Sequence, residues 1–208
     1  PPVLLHDGTR KPNQDAHAAV VDIDVGHRDL QQCADAIIRL RAEYLFASGA
    51  GQAIVFNFTS GDPARFQEWA RGMRPRLRGN TVRWVRSSRK DRSYRNFRDY
   101  LNTIFVYAGS HSLEKELNPV REIAGMKIGD VFIQGGFPGH AVLVVDMAIH
   151  EISGRKIFLL VQSYMPAQDI HILKNLLNPG LSPWYVLDFG SRLQTPEWTF
   201  RNIDLRRF

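Results

Sequence analysis

The sequence predicts an α+β fold, with N-terminal helices packed on a C-terminal antiparallel sheet, and three patterns carry that expectation. Apolar residues Leu30, Cys33, Ala34, Ile37, Ile38, Tyr44 and Leu45 recur at spacings of three and four, the stripe of an inward-facing helix. A second such stripe follows in Phe97, Tyr100, Leu101, Ile104, Phe105 and Ala108. Three apolar runs, 130–134, 140–147 and 156–162, then succeed one another across glycine-bearing turns, as in an antiparallel meander. Helices first and sheet later is the order of an α+β domain rather than of a doubly wound parallel sheet.

Taken in order, residues 18–25 read as a strand broken by Gly26. Asp29 and Gln32 then offer an N-cap and its capping-box partner, so the first helix should begin at Leu30 and close at Gly49 to Gly51. Residues 53–59 alternate as a strand. Asp62 followed by Pro63 should open a short helix carrying Phe66 and Trp69. Residues 81–86 read as a strand, and Ser93 starts the second long helix, which Gly109 ends. After the meander, Ser182-Pro183-Trp184-Tyr185 and Thr195-Pro196-Glu197-Trp198 should lie as extended arms over the core. Residues 1–208 form one domain on this reading, with a helical lobe over about 1–125 and a sheet lobe over about 126–208.

Composition supports a folded unit: 208 residues, 44% hydrophobic and 23% charged, are enough to bury a full core without staples. No apolar run reaches the length of a membrane helix, and no integral membrane span is expected. The chain opens at Pro1 without a charged-then-apolar leader, a start compatible with a mature or trimmed chain that neither shows nor rules out export. The lone Cys33 excludes an intramolecular disulfide and a multi-cysteine zinc site. Net charge is +6, and between Arg71 and Arg98 stand ten Arg and one Lys. That run suits nucleic acid, anionic lipid or an acidic cell-wall polymer, and equally a solvated face whose arginines pair with carboxylates elsewhere.

The densest candidate for chemistry is residues 129–146, where His140 follows the bend Gly135-Gly136-Phe137-Pro138-Gly139 and opens a strand. If the next hairpin turns near Ser153 and Gly154, antiparallel pairing carries Gln162 beside His140, where its amide would hold one ring nitrogen. Asp146 is excluded from that role, because six strand residues place it about 20 Å along the same strand. Cys33 is the natural nucleophile for such a base, since the positive end of a helix lowers a thiol pKa. The same position suits a small buried apolar side chain, and His140 alone could serve loop carbonyls. The glycine-rich bend lacks the Lys-Ser/Thr and the helix of a phosphate loop, and the remaining histidines show no metal-site spacing, so no cofactor and no metal are expected. Glu114 and Glu116 read as a solvated face.

Asp29-Leu-Gln-Gln-Cys-Ala-Asp-Ala36, Arg39-Leu-Arg-Ala-Glu-Tyr44, the block 129–146, Gln162-Ser-Tyr-Met-Pro-Ala-Gln168, Ser182-Pro-Trp-Tyr185 and Thr195-Pro-Glu-Trp198 together resemble the bacterial family called domain of unknown function 4846. That resemblance spans nearly the whole chain and implies an exported or lipid-anchored bacterial protein, acting outside the cytoplasm. A more distant similarity is to papain-like NlpC/P60 peptidases and amidases: a helix with cysteine near its start, Gly129-Asp130 leading into a strand, His140 opening the next and a polar residue on the one after. Gln32-Cys33-Ala34-Asp35 stands where those enzymes carry Asp-Cys-Ser-Gly. The similarity implies Cys33 as nucleophile, His140 as general base and Gln162 as the orienting group of a cysteine hydrolase acting on peptide or cell-wall material. The alternatives are a non-catalytic module of the same fold for an anionic glycan or peptide and, less favoured, a nucleic-acid binder.

Overall fold

A computed structural model describes residues 1–79 and 81–208. Along the chain lie β1 (His17–Val20), α1 (Cys33–Ala47), β2 (Val55–Asn57), β3 (Pro63–Arg65), α2 (Phe66–Ala70), β4 (Met73–Arg78), β5 (Thr81–Arg86), α3 (Tyr94–Tyr107), α4 (Ser110–Glu116) and β6 (Asn118–Pro119). The second half holds β7 (Val131–Gln134), β8 (His140–Ile149), β9 (Lys156–Gln162), β10 (His171–Leu173), β11 (Tyr185–Val186), β12 (Arg192–Gln194), β13 (Thr199–Arg201) and β14 (Leu205–Arg207). The architecture is α+β, as the patterning predicts.

An eight-stranded antiparallel sheet runs in the order β1-β10-β9-β8-β7-β14-β6, with β11 pairing along β9. Its centre is the meander β7-β8-β9, turning at Gly154 as expected. Alternation along these strands sorts their side chains onto two faces. Val131, Ile133, Ala141, Leu143 and Val161 join the core that α1 and α3 build. Phe132, Val142, Val144, Phe158 and Leu160 join a second core with Leu193, Phe200 and Leu205 from the C-terminal segment. The predicted extended arms pack on this second core through Tyr185 and Trp198; the first adds β11 to the sheet, while the second joins β12 to β13 in a separate two-stranded sheet.

Two buried hydrogen bonds fix the helical layer. Tyr100 Oη donates to Ala64 O at 2.7 Å, and Trp69 Nε1 donates to Asn96 Oδ1 at 2.9 Å, tying α3 to β3 and α2. Ser93 caps α3 as its sequence predicts, its hydroxyl accepting from Asn96 N.

Several boundaries differ from the sequence reading. Residues 21–25 lie outside β1. The short helix begins at Phe66 rather than at Pro63, because Pro63 to Arg65 pairs with β2 instead. Helix α1 begins at Cys33, three residues after Leu30. Asp29, the expected cap, spends its carboxylate on Ala167 N at 2.7 Å and on the side chain of Gln32, so Asp35 takes over, accepting from Gln32 N at 3.2 Å. Glu116 does not face solvent: it is half-buried and accepts from Asn57 N at 2.7 Å, and burial pushes its carboxyl up. The lobe boundary near residue 125 is crossed twice, since β1 and β6 belong to the sheet.

Candidate functional site

The site begins with the bend before β8. A side chain at Gly139 would bring its Cβ to 2.4 Å from Ser110 Oγ and 2.7 Å from Gly136 O, so only glycine lets the backbone pass there. The bend delivers His140 to the first position of β8, 1% exposed, on the sheet face covered by the C-terminal segment. Its ring packs against Trp198 and Phe200, at centroid distances of 5.3 and 5.9 Å, and against Tyr164 at 4.8 Å.

Meander register then brings Gln162 to the histidine, as the sequence predicts: His140 Nε2 lies 2.8 Å from Gln162 Oε1. Among the described residues Nδ1 makes no hydrogen bond, leaving it the ring nitrogen open to a further partner. Burial holds the imidazole neutral, pushing its pKa down to about 4 against a weaker opposing pull from Gln162 and Glu197. Asp146 is exposed on β8, away from this pair.

Cys33 reaches the same strand end from the other side. It is the first residue of α1, whose buried face packs on the sheet. Where β9 ends, Ser163 turns away from β8, its Oγ lying 2.9 Å from Gln168 O and 3.2 Å from Gln31 O, just before α1. Burial pushes the thiol up to about 11, and the neighbouring Asp35 carboxyl adds to it, against the weaker pull of nearby backbone N–H groups that favour the thiolate. The helix-start expectation of an acidic thiol is thereby overturned: desolvation exceeds the pull of the helix end. Asp35 is itself held well above the usual carboxylate range by burial, and its Oδ1 has no partner among the described residues.

Cys33 and Asp35 line a cavity of about 360 Å³, together with Asp29, Ser110, Gly139 and Met165. Phe137 stands on its rim, 98% exposed. Helix start, cavity and strand end thus converge, and no hydrogen bond joins Cys33 to His140 among the described residues. No group of three or more His, Cys, Asp or Glu able to hold a metal ion occurs among them either.

Behind His140 lies a polar cluster that sequence reasoning missed. Gln162 Nε2 donates to Glu197 Oε2 at 2.6 Å and lies 3.3 Å from His171 Nε2. Glu197 forms an ion pair with Lys11, whose ammonium stands 5.6 Å from the centre of the Tyr164 ring. Burial lowers the Lys11 pKa and takes His171 down to about 4. Only Glu197 carried a signal, standing in a Pro-Glu-Trp turn between two aromatic arms.

These elements define an α+β domain that carries a histidine–amide pair between two neighbouring strands and a thiol at a helix start. The chain matches the family model of domain of unknown function 4846 over residues 1–207 and belongs to that family. No curated protein and no solved structure matches it. No helix is long and apolar enough to cross a membrane.

Proposed function

We propose that the domain is a thiol-dependent hydrolase of peptide or amide bonds, with a papain-like arrangement of the NlpC/P60 type. In this reading Cys33 is the nucleophile, His140 the general base and Gln162 the group that orients the ring. The observation that carries it is the cavity at the start of β8: Cys33 and Gly139, the residue before His140, both line it, while His140 is anchored through Nε2 and keeps Nδ1 free.

The resting chemistry follows from the two shifts. Burial pushes the thiol up to about 11 and the imidazolium down to about 4, so both groups rest neutral. Proton transfer then has to accompany attack. Sulfur adds to the substrate carbonyl as His140 Nδ1 accepts the thiol proton, and the backbone N–H groups at the start of α1 face the developing oxyanion. The C–N bond breaks, the leaving amine takes the proton from His140, and a thioester remains on Cys33. Water then adds with His140 again accepting a proton, releasing the acid and the thiol. A peptide of cell-wall material, met outside the cytoplasm, is the substrate class that the family resemblance favours.

The test is hydrolysis of a panel of fluorogenic peptide amides and muropeptides by the full chain. Turnover that disappears in folded Cys33→Ala and falls at least a hundredfold in His140→Ala is the expected result. Turnover that survives in Cys33→Ala removes the proposal.

One observation favours a second reading, a non-catalytic module for an anionic glycan or peptide. In the β4–β5 ribbon the exposed Arg76 and Arg83 stand directly opposite each other. Like charges in that register destabilise a ribbon, and an anion lying across both removes the repulsion. Nucleic acid would meet the same charge, with no further feature to support it.

A further inference from the structure

We propose that Glu197, held by Lys11, is a positioning residue that places the proton of His140 on Nε2 by locking the side-chain amide of Gln162. What the resulting free Nδ1 does rests on the hydrolase reading; the locking itself does not.

The argument is a count of donors and acceptors in a sealed cluster. His140, Gln162 and His171 are each 1% exposed or less, and Lys11 is 5% exposed. His171 Nδ1 lies 2.8 Å from the backbone oxygen of Asp169, which only accepts, so that nitrogen carries the hydrogen and His171 Nε2 presents a lone pair. The Gln162 amide therefore meets two acceptors on one side: this lone pair at 3.3 Å and the Glu197 carboxylate at 2.6 Å. An NH2 group, with two hydrogens, satisfies both. An amide oxygen in its place would face a carboxylate and a lone pair with no hydrogen between them.

Oε1 must then point the other way, to His140 Nε2 at 2.8 Å, and an oxygen there accepts only from a protonated nitrogen. His140 is left with its lone pair on Nδ1, the form a general base requires. Lys11 completes the chain by keeping Glu197 a charged acceptor inside the protein. Its place near the start of the chain, far from β8 and β9 in sequence, gives it no other evident link to Gln162.

The experiment is long-range 1H–15N correlation of the histidine rings in the uniformly 15N-labelled full chain at neutral pH. In the wild type the two rings should show opposite tautomers, Nε2–H for His140 and Nδ1–H for His171. Either ring in the reverse form overturns the proposal without recourse to any variant. In Lys11→Met/Glu197→Leu, which removes the stronger acceptor without stranding a buried ammonium and leaves only the 3.3 Å contact to His171, a share of Nδ1–H should appear at His140. Lys11→Met/Glu197→Gln, which restores an acceptor, should return the ring to Nε2–H. A His140 tautomer unchanged in the leucine variant also overturns the proposal. Because the signature is read without substrate, correct tautomers in a chain that hydrolyses nothing would leave the network standing and remove only the hydrolase reading.

Discussion

At the scale of single residues, two histidines are kept neutral by burial, and that has a thermodynamic consequence. His171 is taken from 6.5 in the unfolded chain to about 4 in the fold. Between those values the unfolded state binds the proton and the folded state does not, so stability rises with pH from about 4 to 6.5 and is fully regained above 6.5. The size is on the order of 3 kcal/mol, at about 1.4 kcal/mol per unit. The raised carboxyls Asp35 and Glu116 act with the opposite sign in the acid range. They are common to the wild type and a His171→Gln variant, and cancel in the difference. Urea unfolding of both between pH 4 and 7 should show the wild type gaining on the variant as pH rises; a pH-independent difference would mean that His171 titrates normally. His140 and Gln162 were legible as neighbours because antiparallel pairing from the turn at Gly154 brings the two strand ends together; the β-bulge between Val144 and Asp146 that puts Gln162 on the face of His140 was not. Lys11, Glu197 and His171 were not, since distant chain segments bring them together and local pattern does not encode that.

At the scale of elements, the meander and the two long helices were legible from periodicity, while helix α1 shows where periodicity stops. Its apolar stripe runs back to Leu30, and only the capture of Asp29 by the backbone of Ala167 moves the start to Cys33. A side chain that caps locally in sequence is used for a tertiary tether in the fold, and the thiol gains the first helical position as a result. The Arg-rich stretch resolves differently. Part of it is structural: Arg74 lies 3.8 Å over the Trp69 ring and donates to Asn96 Oδ1, and Arg98 pairs with Asp24. Arg76 and Arg83 are left facing each other on the ribbon. If this ribbon holds anions, retention on an immobilised anionic glycan should fall as salt rises, and Arg76→Gln/Arg83→Gln should elute at distinctly lower salt. Equal elution of wild type and variant would return the ribbon to a solvated face.

At the scale of the whole molecule, the two sheet faces divide the labour. One face packs on the helices, and the C-terminal segment covers the other, so the start of β8 is the place where groups from both sides meet. The α+β class followed from the order of patterns in the chain. The interleaving did not, because β1 and β6 join the sheet through pairings across more than 75 residues that leave little local trace. This layout keeps the thiol and the histidine neutral at rest, and in the proposed hydrolase their cooperation depends on a bound carbonyl. The most direct measurement is the intact mass, with peptide mapping, of the full chain after brief mixing with an aryl ester of an N-acyl amino acid. The account expects one acyl group bound at Cys33, absent in Cys33→Ala and formed at least a hundredfold more slowly in His140→Ala. Acylation that bypasses Cys33, or that proceeds equally fast without His140, would contradict it.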